Sequence, residues 1–235
     1  MPINKIIPSY FGSKNVPGLF QFIMNKIPPH VNYIEGFLGS GIILQHITNS
    51  GIIVGIDKDA CIIDKFNSYG RGLHNHFYSG SFIDVFLSEI PHLNCPDTFI
   101  FLDPPYLHST RSCSKRYKHE MSILEHRCLL AFAKSLSCSI AISCYDSELY
   151  STQLSHWKKE TCKAQTRHGS RIETLYMNYD ITKTHTTMFT GTNYTDRQRI
   201  KRKAKRTVQK FLSMPSREKQ AILNEMVNHN IITGY

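Results

Sequence analysis

The run Thr98–Asp103, TFIFLD, is apolar at four consecutive positions and ends on a carboxylate. A half-exposed strand would alternate apolar and polar residues; a run without alternation fits a strand covered on both faces, as in a parallel sheet. The same grammar recurs. Asn32–Phe37 (NYIEGF), Gly51–Asp57 (GIIVGID) and Ser139–Ser143 (SIAIS) read as further strands, and His76–Phe82 (HFYSGSF) as a weaker one. Between them lie helical patterns. GSGIILQHI is expected to turn into a helix, Lys58–Phe66 to form a second, and Ser122–Leu136 a third, with Leu124, Cys128, Ala131 and Leu136 at roughly helical spacing. Strands alternating with helices imply an α/β domain built on a mostly parallel sheet. Near Trp157–Tyr179 two β-rich runs flank a turn-like cluster at Gly169, which predicts an antiparallel hairpin closing the sheet edge.

The end of the chain is different. Thr182–Tyr194 is polar and threonine-rich, as in a linker. TDRQRIKRKAKRTVQKFL then opens with Thr195 and Gln198 at capping-box spacing. Ile200, Ala204, Val208 and Phe211 form one apolar stripe, and Arg199, Lys201, Arg202, Lys203, Lys205, Arg206 and Lys210 occupy the rest. After Pro215 a short second helix is expected. The resulting division is a core over residues 1–182 and a linker with a basic helical extension over 183–235. The formal net charge of +10 favours a polyanionic partner, nucleic acid first.

Other classes are disfavoured. The seven cysteines are odd in number and show no C-x-x-C, which argues against a disulfide framework or zinc ribbon and for a reducing cytosol. The twelve histidines show no H-E-x-x-H, so no metal is expected. The first residues lack the apolar run of a signal peptide, and no stretch has membrane-spanning length.

Chemistry-bearing residues fall at the ends of the expected strands. Gly39 and Gly41 sit between a strand and a helix, where a backbone can turn tightly and a ligand can approach it. Asp57 ends the next strand, where an acid commonly takes ribose hydroxyls; it reads equally as a cap for the following helix. Asp103-Pro104-Pro105-Tyr106 reads as a Pro-rich turn with Tyr106 in the core, or as a device for holding a planar base and its amine. In the second reading Asp103 and the Pro104 carbonyl each accept one N–H, and Tyr106 stacks on the base.

YFGSK, FLGSG, GIDKD and DPPY, in this order, resemble the DNA N6-adenine methyltransferases of the DNA adenine methylase group. Leu107–Tyr150 and the basic tail resemble its short, phage-type members. The resemblance implies a Rossmann-like, S-adenosylmethionine-dependent methyltransferase sheet, methylation of adenine N6 in double-stranded DNA with base flipping, and a cytoplasmic, bacterial or phage-encoded protein. It implies cofactor contacts at Tyr10, Lys14, Phe37, Gly39, Gly41, Asp57, Asp84 and Asp103, and target contacts at Asp103, Pro104 and Tyr106. It has no place for a metal or a membrane.

Two departures stand out. Family members often read E-P-F where this chain has Glu35-Gly36-Phe37, which would loosen the turn. Only 19 positions separate Asp84 and Asp103, too few for an inserted recognition domain. DNA contacts are therefore expected from the loop after DPPY, at Arg111, Arg116 and Lys118, and from the tail, at Arg199, Arg202, Lys203 and Arg206. Two other functions share parts of this pattern: an RNA amino-methyltransferase acting on guanine N2, and a DNA-binding relative that has lost catalysis.

Overall fold

The computed structural model describes residues 13–16, 18–48, 51–68, 74–110, 118–166, 169–186 and 189–229. Tyr10, Arg111 and Arg116 lie outside them. The chain divides into two compact units, residues 1–187 and 188–235.

The first unit is a seven-stranded α/β sheet of Rossmann-like pattern. Its elements are α1 (Leu19–Met24), β1 (Asn32–Gly36), β2 (Ile53–Asp57), α2 (Ala60–Ser68), β3 (Asn75–Ser79), α3 (Phe82–Glu89), β4 (Thr98–Leu102), α4 (Ile123–Ser135), β5 (Ser139–Cys144), α5 (Glu148–Gln153), β6 (Lys158–Thr166) and β7 (Gly169–Met177). Strand order is β3-β2-β1-β4-β5-β7-β6. The first five strands are parallel, while β7 enters antiparallel between β5 and β6. Strand order reverses between β1 and β4, and ligands of such sheets bind beyond the carboxyl ends of the strands at that point.

The unbroken apolar runs are buried as a covered sheet requires. All five residues of β4 are buried, and β5 is buried from Ile140 onward. Helix α4 begins on a capping box, with Ser122 Oγ accepting from Glu125 N and the Glu125 carboxylate accepting from Ser122 N. The hairpin also forms as expected, but it is longer than the sheet needs. β7 pairs with β5 only from Thr174 to Met177, whereas it pairs with β6 along its whole length.

Two local expectations are corrected. GSGIILQHI forms no α-helix; it makes a single 3-10 turn at Leu44–His46. Paired isoleucines disfavour helix, and nine residues are too few to offset the cost of nucleation. Burial of Ile42, Ile43, Leu44 and Ile47 dictates the path instead. Gly36 does not loosen the strand end. It is in register with Ile56 and Leu102, and a Cβ there would lie 2.7 Å from Leu102 Cδ2 and 2.8 Å from Phe82 Cδ2. Only glycine permits that closeness of β1 to β4 and α3.

The second unit contains α6 (Tyr194–Ser213) and α7 (Ser216–Asn228), with no residue of either buried. The cap of α6 is Asn193, whose side chain accepts from Asp196 N at 2.9 Å, rather than Thr195. Asn in extended conformation is as good a cap as Thr, and Asp196 then lies in the first turn, where the helix dipole favours an anion. Among the described residues no helix is long and apolar enough to cross a membrane, and no three His, Cys, Asp or Glu side chains are grouped to hold a metal.

Candidate active site

A cleft opens at the carboxyl edge of the sheet where β1, β2 and β4 end. Lys14, Glu35, Phe37, Gly39, Asp57 and Asp103 all line it, so residues spread over 90 positions converge. Leu38, Ile42, Ile43, Phe101 and Met121 supply apolar walls.

The loop after β1 is tied down by carboxylates. Asp57, at the end of β2, accepts from Gly39 N through Oδ2 and from Asp59 N through Oδ1, each at 2.8 Å. One oxygen thus holds the turn leading into α2, and the other holds the Gly loop. Burial pushes its pKa up, and the two backbone donors oppose that shift. Gly39 and Gly41 have φ of 50° and 58°. Gly39 lines the cleft, whereas Gly41 packs outward, where a Cβ would come within 2.4 Å of Phe66 Cζ. Phe37 has φ of 64°, which costs a bulky side chain about 1–3 kcal/mol and is typical of functional sites.

Glu35 escaped the sequence reading, although a lone acid inside an apolar strand was a visible signal. Its Oε2 accepts from Tyr33 OH and from Leu44 N, each at 2.8 Å, joining β1 to the 3-10 turn. Burial raises its pKa to about 8, against those two donors, with the Asp103 charge raising it further.

Asp103 follows β4. Lys14 Nζ lies 2.6 Å from its Oδ1 and 4.8 Å from the centre of the Tyr106 ring. Burial raises the Asp103 pKa to about 6, and Lys14 pulls against the shift. Pro104 is buried behind the corner, while Pro105 lines the cleft. Tyr106 does not stand open for stacking. It is buried, with its hydroxyl donating to Glu173 Oε2 at 2.6 Å and its ring edge-on to Tyr145 at 4.4 Å. A phenol this far from water needs an acceptor, and the acid on β7 provides one. Glu173 was not legible beforehand, because 67 positions separate it from Tyr106.

Three further expectations meet different surroundings. Asp84 is exposed on the first turn of α3 and lines no cleft described here, because Ser81, Phe82 and Ile83 face the adjoining hollow instead. Lys118 lies at the cleft mouth, 2.8 Å from Asp59. Arg199 is held by Asp196 at 2.7 Å, whereas Arg202, Lys203 and Arg206 are exposed on α6.

No protein-family model matches the chain, and no curated protein does. Solved structures similar to it include one from Haemophilus influenzae provisionally named a methylase (16% identity, 69% of this chain and 86% of that one, TM-score 0.42). A dimethyladenosine transferase from Plasmodium falciparum is similar at 12% identity, 67% and 58% coverage and TM-score 0.43. An S-adenosylmethionine-dependent methyltransferase from Agrobacterium tumefaciens is similar at 10% identity, 67% and 58% coverage and TM-score 0.42. Likeness of this degree says nothing about substrate.

Proposed function

We propose that this protein transfers a methyl group from S-adenosylmethionine to the N6 amine of adenine in DNA. The observation that carries the reading is the convergence of the Asp57-anchored Gly loop and the Asp103 corner on one cleft at the switch point of the sheet.

The donor set fits the cofactor. Asp57 keeps lone pairs for ribose hydroxyls after its two backbone bonds. The carboxylates of Asp57 and Asp103 offer negative charge for a sulfonium, and Phe37, Leu38 and Met121 offer apolar contact. When bound, S-adenosylmethionine supplies an electrophilic methyl carbon. Adenine N6 is a weak nucleophile because its lone pair is delocalised into the ring, so the protein's work is positioning and charge.

Asp103 Oδ accepts one amine hydrogen and the Pro104 carbonyl the other, which draws the nitrogen toward tetrahedral geometry. With a pKa near 6, Asp103 is ionised at neutral pH and can take the proton the amine loses. Its present partner is Lys14, so the ammonium has to leave Oδ1 as the amine arrives. Tyr106, pinned by Glu173, buttresses the corner from beneath. A stacked adenine cannot reach this corner, so it has to be flipped out at a cost of a few kcal/mol. The exposed cations Arg202, Lys203 and Arg206 of the second unit are suited to phosphate contacts on DNA.

The test is incubation with methyl-labelled cofactor and either duplex DNA or RNA, followed by mapping of the modified base. N6-methyladenine in DNA is expected, and Asp103→Ala should abolish it without loss of fold. Label in guanine N2 of RNA, or full turnover by D103A, refutes the reading.

A further inference from the structure

Outside the proposed cofactor cleft, an open groove lies at the base of the β6–β7 hairpin. Its position follows from register. β5 ends at Cys144 opposite Thr174, so Gly169–Glu173 of β7 and their β6 partners continue past the end of β5 as a two-stranded arm. At about 3.4 Å per residue the arm projects roughly 17 Å beyond the catalytic edge. It is fastened at its root by the buried Tyr106–Glu173 hydrogen bond, so its position is coupled to the Asp103 corner.

Tyr145 forms the wall shared by the corner and the groove. On one side its ring meets Tyr106, and on the other the Arg171 guanidinium lies 5.6 Å from its centre. A guanidinium resting on an aromatic ring is pre-oriented and stays charged. Hydroxyls of Ser109, Thr110, Thr161 and Thr174 complete the lining. Thr174 Oγ1 is buried with no hydrogen-bond partner among the described residues. The one carboxylate of the groove, Asp146, is engaged by Lys159 at 2.6 Å and by Tyr176 OH at 2.8 Å. What remains is a donor-rich, cationic channel one aromatic ring away from the acceptor corner.

We propose that this groove binds the sugar-phosphate backbone next to the extruded adenine, with Arg171 on a phosphate and the exposed Ser109 and Thr161 hydroxyls on neighbouring oxygens. Arg and hydroxyl side chains are the usual partners of backbone oxygens in nucleic-acid complexes. Ser109 and Thr110 open the loop after DPPY, but Arg171 and Tyr145 belong neither to that loop nor to the basic tail, so the cationic contact is a new one. It rests on the proposed function for the identity of the strand, but it is measured independently of turnover.

Binding of the full-length protein to a fluorescent adenine-containing DNA duplex is followed by anisotropy across a salt series. Arg171→Ala is expected to weaken binding and reduce the salt slope by about one, as for loss of one phosphate contact. Arg171→Lys should keep the slope. Thr161→Lys, at an exposed groove position, should raise it by about one and tighten binding. An unchanged slope in both R171A and T161K overturns the groove. Should R171A fail to fold, T161K decides alone. Absence of methyl transfer by the wild-type protein overturns the proposed function instead, and leaves these slopes readable.

Discussion

Lys14→Met removes the ammonium that stands 2.6 Å from Asp103 Oδ1 and leaves a side chain of similar reach. In the intact protein burial raises the Asp103 pKa from 3.8 to about 6, which is about 3 kcal/mol against the ionised form at 1.36 kcal/mol per unit. Lys14 opposes that rise from 2.6 Å, so its loss leaves a buried carboxylate without its cation, at a stability cost of about 3–5 kcal/mol, and pushes the Asp103 pKa further up.

Since kcat/KM reports the free enzyme, its acid limb should move upward from about pH 6, lowering activity at pH 7. Activity should largely return at alkaline pH. Stability carries the same sign. Asp103 takes up its proton more readily folded than unfolded, so its contribution is fully present below about pH 3.8 and is lost as pH rises through about 6. In K14M that loss extends to higher pH, because the folded pKa moves further up. The assays are methyl transfer at saturating cofactor from pH 5 to 10 and denaturant unfolding at pH 5 and 8.5. A limb that stays at pH 6, or activity not rescued by alkali, would refute the pairing as the control on Asp103.

Asp57→Asn replaces one acceptor with an NH2 that confronts a backbone N–H, either of Gly39 or of Asp59. Cofactor affinity measured by calorimetry should drop at least about tenfold, the value of one charged hydrogen bond. Gly41→Ala sets a Cβ 2.4 Å from Phe66 Cζ at φ of 58°, so thermal or denaturant unfolding should show a loss of about 3 kcal/mol. The triple variant Arg202→Ala, Lys203→Ala, Arg206→Ala should lower the slope of log binding constant against log salt on duplex DNA by up to about 2.7, or about 0.9 per phosphate released. An unchanged slope removes α6 from the interface.

The strands and the catalytic edge could be read from the chain because their causes are local. A strand covered on both faces needs unbroken apolar residues, as in Phe99–Leu102, and a tight turn at a strand end needs glycine at φ near +50°, as at Gly39. Asp57 ends β2 and Asp103 directly follows β4, so placing the strands placed the acids. The hairpin was legible for the same reason, through its two β-rich runs around Gly169.

What could not be read depended on contacts between distant segments. The peptide following Gly41 is expected to be helical from its apolar pattern, yet burial of Ile42, Ile43, Leu44 and Ile47 and a bond from Leu44 N to Glu35 make it a 3-10 turn. Tyr106 carries the same ring whether it stacks on a base or lies in the core. Glu173, 67 residues later, decides for the core by accepting its hydroxyl. The basic residues of α6 were visible, but the arm bearing Arg171 was not, since its reach past β5 is a matter of register. Composition and periodicity determined that this chain makes a covered α/β sheet with acids at its carboxyl edge. Only tertiary packing decided how those acids are protonated and paired, because pKa values and ion pairs depend on burial and on neighbours that sequence order does not reveal.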